Sequence, residues 1–276
     1  MKVLQKDEVL IAEGKLLKYL PKCFQIFGVV FAFNKNKTKS VQFIVDTWPD
    51  FKVIICRTDP QKNRGFTRKV SLFSTDERIL KKMLSEEDPF DWSSCFRLGG
   101  CDVSHTTMLK EVSSNRNVNC KCVTVTHLLY LPGSSHLVTP TFDSQLKYRI
   151  SSLDCSHADL VNRTWKLGGT EQAKNNVTFL ISNFPSCCIT DYQGRPISWM
   201  GMYESLAIGM LYTQPEHRQK GYAKVLVHTM ARRLLADGYP VFCYIEEGNA
   251  VSYKLFKSMG FIEDPSFRAS LFEFKV

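Results

Sequence analysis

Apolar positions in the first half of the chain follow both helical and strand spacing. Val9, Leu10, Leu16, Leu17 and Leu20 recur near helical spacing, which predicts a helix over 8–20 that ends at Pro21. The same pattern predicts further elements, namely strands over 27–33, 41–46, 53–56 and 123–130 and helices over 74–84 and 106–112. The polar stretch 34–39 has hairpin character, and the proline turn over 46–51 has two aromatics available to hold it.

A loop-forming stretch over 132–143 marks the expected domain boundary, because it is rich in loop formers and has no apolar periodicity. Residues 1–143 would form an N-terminal α/β domain and residues 144–276 a C-terminal domain. In the second part the pattern predicts strands over 147–151, 187–191, 197–203, 207–212, 241–245, 261–263 and 270–274, and helices over 157–165, 171–184, 221–237 and 250–258. This order indicates an α/β domain with a mixed sheet.

Composition narrows the class of protein. The chain has 276 residues, of which 44% are hydrophobic and 23% charged, and this usage argues against a disordered or membrane-spanning protein. The formal charge of +9 is spread along the chain. It therefore favours solubility and attraction to some anion over a single nucleic-acid-binding face.

Ten cysteines are present, without the paired CxxC spacing of a zinc site or redox motif, so we expect no structural metal. The N-terminus lacks the continuous apolar region of a secretory signal, which predicts a reducing compartment and free thiols. A mitochondrial presequence is rich in arginine and poor in acidic residues, whereas this N-terminus contains Asp7, Glu8 and Glu13. The sequence therefore leaves mitochondrial and cytoplasmic locations open.

One basic loop leads from a predicted strand into a predicted helix. It runs Tyr212-Thr213-Gln214-Pro215-Glu216-His217-Arg218-Gln219-Lys220-Gly221-Tyr222-Ala223-Lys224. A helix N-terminus offers unpaired N–H groups and partial positive charge, which together bind phosphate. Gly221 permits close backbone approach and Ala223 keeps that approach uncrowded, while the basic side chains suit a polyanion. The alternative is an ordinary solvated helix cap.

The spacing Arg218-x-x-Gly221-x-Ala223 resembles the CoA-binding motif of the GNAT acyltransferase fold. Downstream, a predicted helix opened by Asn249-Ala250 and closed by Met259-Gly260-Phe261 resembles the second motif block of that fold. Both blocks stand in the order that the fold requires. The resemblance therefore implies a mixed-sheet GNAT-type acyltransferase domain. It is preceded by an N-terminal α/β domain whose sequence motifs are weaker.

Four stretches along the chain resemble the glycine N-acyltransferase family: Asp46 to Phe51, His157 to Trp165 with Gly168-Gly169, Phe184 to Cys188, and Pro215 to Arg218. The resemblance implies transfer of an acyl group from acyl-CoA to the amine of glycine or another small amino acid. It further implies acyl-CoA as a co-substrate, no permanently bound cofactor, a monomer, and a slight preference for mitochondria.

The implied CoA-binding residues lie in the strand before the loop, in the loop itself and at the later helix start. They are Met210, Leu211, Tyr212, Arg218, Gln219, Lys220, Gly221, Tyr222, Ala223 and Asn249. In this fold a backbone N–H on the strand before the loop polarises the thioester carbonyl, which places that donor within Met210 to Tyr212.

The general base is an open question. The resemblance places a glutamate at the position of Ala207, and alanine accepts no proton. Glu204 lies three residues earlier, so it would need a strand bulge to reach the same face, and Gly209 makes such an irregularity plausible. A solvated turn carboxylate is the alternative for Glu204. His217, or a water molecule without a dedicated base, is a further alternative.

The general acid is equally open, because Phe256 stands where the fold often has a tyrosine. Tyr253 lies three residues earlier on the same helix and is the substitute to test, with a packing role as the alternative. The CoA thiolate can also leave unaided. Cys187 and Cys188 are expected to be core residues rather than acyl-carrying nucleophiles.

Two other functions remain to be separated from glycine conjugation. Acetyl transfer to a lysine or polyamine should use an acidic groove, whereas Arg195 and Arg268 suit an amino-acid carboxylate. A family member that binds acyl-CoA without turnover is the other alternative. It would explain why Ala207 and Phe256 stand where the resemblance implies a glutamate and a tyrosine.

Overall fold

The computed structural model describes residues 1–38, 40–59 and 68–276. The chain forms two compact units, one of Met1–Leu128 with Asp264–Val276 and one of Leu129–Glu263. The C-terminal segment belongs to the first unit because residues 269–274 pair with residues 96–102 of that unit. The predicted boundary after residue 143 was drawn from loop composition and stays a prediction.

The described strands, in chain order, are β1 (Lys2–Val3), β2 (Val41–Val45), β3 (Val53–Thr58), β4 (Arg68–Ser74), β5 (Phe96–Asp102), β6 (Asn119–Tyr130), β7 (Ile150–Ser151), β8 (Cys187–Thr190), β9 (Pro196–Met202), β10 (Ile208–Thr213), β11 (Phe242–Glu246) and β12 (Ile262–Lys275). The helices are α1 (Lys6–Leu16), α2 (Phe24–Asn34), α3 (Glu77–Glu86), α4 (Thr106–Ser114), α5 (Ala158–Thr164), α6 (Glu171–Asn183), α7 (Tyr222–Ala236) and α8 (Ala250–Ser258). None of the helices in the described ranges is both long and apolar enough to cross a bilayer.

The first unit is built on a sheet with the strand order β1-β2-β3-β4-β5-β12-β6. The β4–β5 pair is parallel, whereas β2–β3, β3–β4 and β5–β12 are antiparallel, so the sheet is mixed as expected. Alternate residues of these strands enter one core, where Ile55, Leu98 and Phe272 are fully buried. The turn before β3 is held as predicted, since the rings of Trp48 and Phe51 stack at 6.4 Å.

The strand predicted over 27–33 is wrong, because these residues lie within α2. Periodicity alone cannot separate a buried strand from a helix that is apolar on most of its faces, and Ile26, Val30 and Ala32 are all fully buried. The hairpin expected over 34–39 is therefore wrong as well for the described residues 34–38, and residue 39 lies outside them. The two last predicted strands are a single strand, β12, which continues through Asp264, Pro265 and Ser266.

The second unit contains a four-stranded sheet in the order β10-β9-β8-β7, with antiparallel neighbours. One face packs against α5 and α6 through Val161, Val177 and Trp199. Helix α7 follows β10 and turns its apolar stripe inward, so that Leu226, Met230 and Leu234 are fully buried. This packing fixes the start of α7 at the end of β10.

Candidate acyl-CoA site

Strand β10 is the edge strand of its sheet and contains a β-bulge. The pairing runs from Gly209 opposite Gly201 to Tyr212 opposite Trp199, so three steps along β10 face two along β9. Met210 lies within the bulge and has a φ of 51°, in the left-handed region. The bulge takes Met210 and Leu211 out of the regular ladder, at the segment where the sequence predicts the carbonyl-binding amide.

The loop after β10 is held by its own basic residue. A short 3-10 helix, Pro215–His217, leads to Arg218, whose Nε donates to the Thr213 carbonyl at 3.0 Å. The Arg218 guanidinium also lies 5.6 Å from the centre of the Tyr212 ring. His217 lies in this 3-10 turn with its Nε2 3.9 Å from Glu216. Arg218 therefore fixes the loop, in addition to any contact with a ligand.

The N-terminus of α7 is open. Its cap residue, Gly221, has a φ of 77° and supplies no side-chain cap. Lys224 donates its N–H to the Gly221 carbonyl at 3.0 Å, whereas the amides of Tyr222 and Ala223 have no backbone acceptor within the described ranges. A Cβ built on Gly221 meets no atom within 4 Å. Two amides without a backbone acceptor thus lie at the positive end of the helix dipole, next to a residue with no side chain.

Positive charge surrounds this helix start. Lys220 and Lys224 are exposed, and neither has a carboxylate partner among the residues that the structure describes. Gln219 also lies in the loop and has a positive φ of 62°. Free ammonium groups beside unpaired amides form an arrangement that suits a diphosphate better than a neutral ligand.

Strand β11 and helix α8 follow α7. The β10 edge is not paired with β11 in the described sheets, so the backbone groups on that side of the bulged strand take no part in a ladder. Asn249 caps α8, with its Oδ1 accepting the Ser252 N–H at 3.1 Å. The Asn249 side chain therefore has a structural role already, and its predicted CoA contact stays a prediction.

The structure places Glu204 in the tight turn between β9 and β10, not on a strand. The turn is closed by the bond from the Leu206 N–H to the Tyr203 carbonyl at 2.9 Å. Glu204 would need a bulge before Ala207 to reach the face of that residue, but the bulge of β10 lies after Ala207, between Gly209 and Tyr212. That argument for Glu204 is wrong, although its role as a base remains an untested prediction.

Tyr253 uses its hydroxyl within the fold. It donates to Glu263 Oε2 at 2.6 Å. Phe256, one turn later, is buried edge-on against Phe261 with ring centres 5.0 Å apart. The Tyr253 hydroxyl would have to break this hydrogen bond to Glu263 before it could give its proton to a leaving thiolate.

The adjacent cysteines Cys187 and Cys188 are buried in β8. Burial raises the pKa of Cys187 to about 12 and that of Cys188 to about 11. Both are therefore thiols at neutral pH, which does not suit a nucleophile. All ten cysteines are free, and no group of metal-binding side chains occurs in the described part of the chain.

Arg195, expected to meet an amino-acid carboxylate, is bound to an acid of its own hairpin. Its Nε donates to Asp191 Oδ2 at 2.7 Å, next to the β8–β9 turn. Arg268 lies on β12 in the first unit and donates to the Phe267 carbonyl. Arg195 is already paired with Asp191, and its contact with a substrate carboxylate stays a prediction.

A group of residues near the bulge went unnoticed in the sequence. Tyr203 directly follows β9, and the centres of its ring and the Trp165 ring lie 6.2 Å apart. Lys166 Nζ forms an ion pair with Glu246 Oε2 at 2.5 Å. The sequence feature that could have revealed these residues is Trp165, at the end of the α5 segment. Sequence spacing does not show, however, that this tryptophan contacts the β9–β10 turn.

A separate cavity of about 530 Å³ lies in the first unit and is lined in part by Lys18, Tyr19, Lys22 and His105. It includes no residue of the loop before α7. It is therefore not the CoA site that the helix start suggests.

A family model described as aralkyl acyl-CoA:amino acid N-acyltransferase matches residues 1–185, more than half of the chain. The chain belongs to this family. Membership makes it an acyltransferase, as the sequence resemblance implied. A second model, described as FR47-like protein, matches residues 190–269 and covers β10, the basic loop, α7 and α8.

Individual relatives agree with this membership in the acyl-CoA:amino acid N-acyltransferase family. A glycine N-acyltransferase of Rattus norvegicus is 24% identical over 276 residues, covering 92% of each chain. The X-ray structure of a Drosophila protein has a TM-score of 0.80 at 17% identity and covers 100% of this chain and 98% of that one. A GCN5-related N-acetyltransferase from Sphaerobacter thermophilus has a TM-score of 0.51 at 10% identity, covering 88% and 84%. The structural likenesses show a GNAT-type fold.

Proposed function

We propose that this acyltransferase transfers an acyl group from acyl-CoA to the amine of glycine or another small amino acid, giving an N-acylamino acid and CoA. Its family is named for acyl-CoA and amino-acid substrates, and the rat relative is a glycine N-acyltransferase. The observation that carries the proposal is the open N-terminus of α7, with a left-handed Gly221 and unpaired amides at Tyr222 and Ala223.

The CoA diphosphate would accept the N–H groups of Tyr222 and Ala223. Lys220 and Lys224 would add ionic contacts, because no carboxylate in the described ranges neutralises them. The pantetheine arm would then run along the open edge of β10 toward the bulge at Met210 and Leu211. This path places the thioester carbonyl beside backbone groups that the sheet does not use.

The reaction would proceed by direct attack. The neutral amine forms its bond to the thioester carbon, the carbonyl electron pair moves onto oxygen, and the C–S bond breaks as this pair returns. CoA leaves as a thiolate without help from an acid, and the thiolate takes up a proton from solvent afterwards. The extra proton of the new ammonium centre passes to a base, for which Glu204, His217 and a bound water molecule remain the alternatives.

Purified protein incubated with glycine and a panel of acyl-CoA esters tests the proposal. We expect release of free CoA thiol and formation of the N-acylglycine by mass spectrometry, both dependent on glycine. Thiol release with a polyamine or a lysine peptide, but not with glycine, would instead identify a different amine acceptor.

A second function is favoured by one observation at the same site. Ala207 is buried and carries no proton acceptor, and Glu204 lies in the turn. A member that binds acyl-CoA without turnover would fit these residues. Acyl-CoA binding by calorimetry, together with the absence of thiol release from every ester in the panel, would establish this alternative.

We further propose that the enzyme works as a monomer without a resident cofactor, in mitochondria or in the cytoplasm. The family resemblance supports the mitochondrial choice, and ten free cysteines agree with a reducing compartment. Cell fractionation with an antibody against the chain tests the location, and light scattering tests the oligomeric state.

A further inference from the structure

Tyr203 lies directly across the β9–β10 hairpin from Ala207. Its N–H donates to the Ala207 carbonyl at 2.9 Å. Side chains of residues that face each other across an antiparallel pair lie on the same face of the sheet. Tyr203 therefore stands on the face where the family resemblance places a catalytic carboxylate and where this chain has only a methyl group.

The ring of Tyr203 is fixed over the strand that carries the bulge. Its hydroxyl oxygen and Cζ each lie 3.1 Å from the position that a Cβ on Gly209 would take. The ring of Trp165 packs against it at 6.2 Å between centres. Only a glycine at 209 lets the phenol lie this close to the backbone just before Met210.

The Tyr203 hydroxyl stays protonated at neutral pH. Burial raises the pKa of this phenol above its ordinary value, and the nearby Glu246 carboxylate raises it further. The phenol therefore keeps its hydrogen and can donate it in a hydrogen bond.

We propose that Tyr203 is a catalytic residue that donates a hydrogen bond to the carbonyl oxygen of the bound thioester. This inference rests on the proposed acyl transfer at the β10 bulge. As the amine attacks, negative charge develops on the carbonyl oxygen and the Tyr203 O–H stabilises it. When the C–S bond breaks, that charge returns to the C=O bond, so Tyr203 keeps its proton throughout.

Infrared difference spectroscopy of an acyl-CoA labelled with 13C at the thioester carbonyl tests the inference without any amine present. We expect the bound carbonyl stretch of the wild-type protein to lie below its value in solution, because hydrogen bonding weakens the C=O bond. In Tyr203→Phe this shift should be lost while acyl-CoA affinity is retained. Tyr192→Phe is the matched control, since Tyr192 is 91% exposed in the β8–β9 turn and should keep the wild-type shift.

Kinetics supply the second measurement. Loss of one oxyanion donor lowers kcat by about 10²- to 10³-fold, so Tyr203→Phe should lose kcat by this factor with little change in KM. Gly209→Ala should lose kcat with the hydroxyl still present, because the added methyl pushes the ring off the strand.

The outcomes separate this inference from the function on which it rests. Failure of the wild-type protein to bind any acyl-CoA would refute the proposed function and this inference together. Binding with an unshifted carbonyl band, or a full shift retained in Tyr203→Phe, would overturn the role of Tyr203 alone and leave acyl transfer standing.

Discussion

Substitution of Gly221 by alanine separates the conformational role of this glycine from its role in binding, because α7 has a comparable glycine at each end. Gly221 precedes the helix with a φ of 77°, and Gly238 follows it with a φ of 73°. A Cβ on either one meets no atom within 4 Å. The two alanine variants therefore carry the same kind of backbone strain, and they differ in whether the strained residue touches the proposed diphosphate site.

The expected magnitudes follow from this geometry. An L-residue held in the left-handed region costs about 1–2 kcal/mol, so both variants should lose a similar amount of stability. In Gly221→Ala the methyl group also lies where the proposed diphosphate would approach the backbone, so it should keep the ligand away from the Tyr222 and Ala223 amides. Two hydrogen bonds to a charged group contribute about 1.5 kcal/mol each at the lower end, so their loss raises the Kd about 100-fold.

Calorimetric titration with CoA, alongside thermal unfolding of both variants, measures these effects. We expect Gly238→Ala to bind CoA with wild-type affinity and Gly221→Ala to bind about 100-fold more weakly, although both unfold at similarly lowered temperatures. Equal CoA affinities in the two variants would refute the assignment of the diphosphate to the start of α7.

Three other variants or treatments probe single side chains. Arg218→Ala should weaken CoA binding by only about fivefold, and mainly at low salt, because the exposed guanidinium is also tied to Thr213; a loss that persists in high salt would contradict this. Tyr253→Phe should change kcat by less than about threefold, since the hydroxyl is bound to Glu263, whereas a loss of about 100-fold in a folded variant would identify it as the acid. At pH 8, iodoacetamide should label the exposed Cys95 and Cys155 and leave Cys187 and Cys188 intact, because burial raises the pKa of the latter two and keeps them as thiols. Mass spectrometry measures the labelling, and equal rates for the buried and the exposed pair would contradict the burial argument.

The C-terminal half could be predicted well from the sequence because its signals are local. The cap at Gly221, the stop at Gly238 and the apolar stripe of α7 lie within a few turns of one another, and the structure reproduces them. In the first half, α2 is apolar on most of its faces, so its spacing carried no information that separates helix from strand. The single strand β12 was divided because its middle, around Asp264 and Ser266, is polar.

The loop of the candidate site was visible in the sequence, and the residues around the bulge were not. A basic stretch before a helix is a contiguous pattern. The approach of Trp165 to Tyr203, by contrast, depends on how α5 packs against the sheet, and the position of the bulge depends on the pairing of β10 with β9. Long-range contacts of this kind leave no mark in the spacing of residues, so the sequence could not show that the bulge lies after Ala207 rather than before it.

A crystal structure of the protein with a bound acyl-CoA is the most direct test of the CoA site at α7. The site as described here predicts diphosphate oxygens within hydrogen-bond distance of the Tyr222 and Ala223 amides, and a thioester carbonyl beside the bulge at Met210. A ligand bound with its diphosphate away from the start of α7 would contradict it.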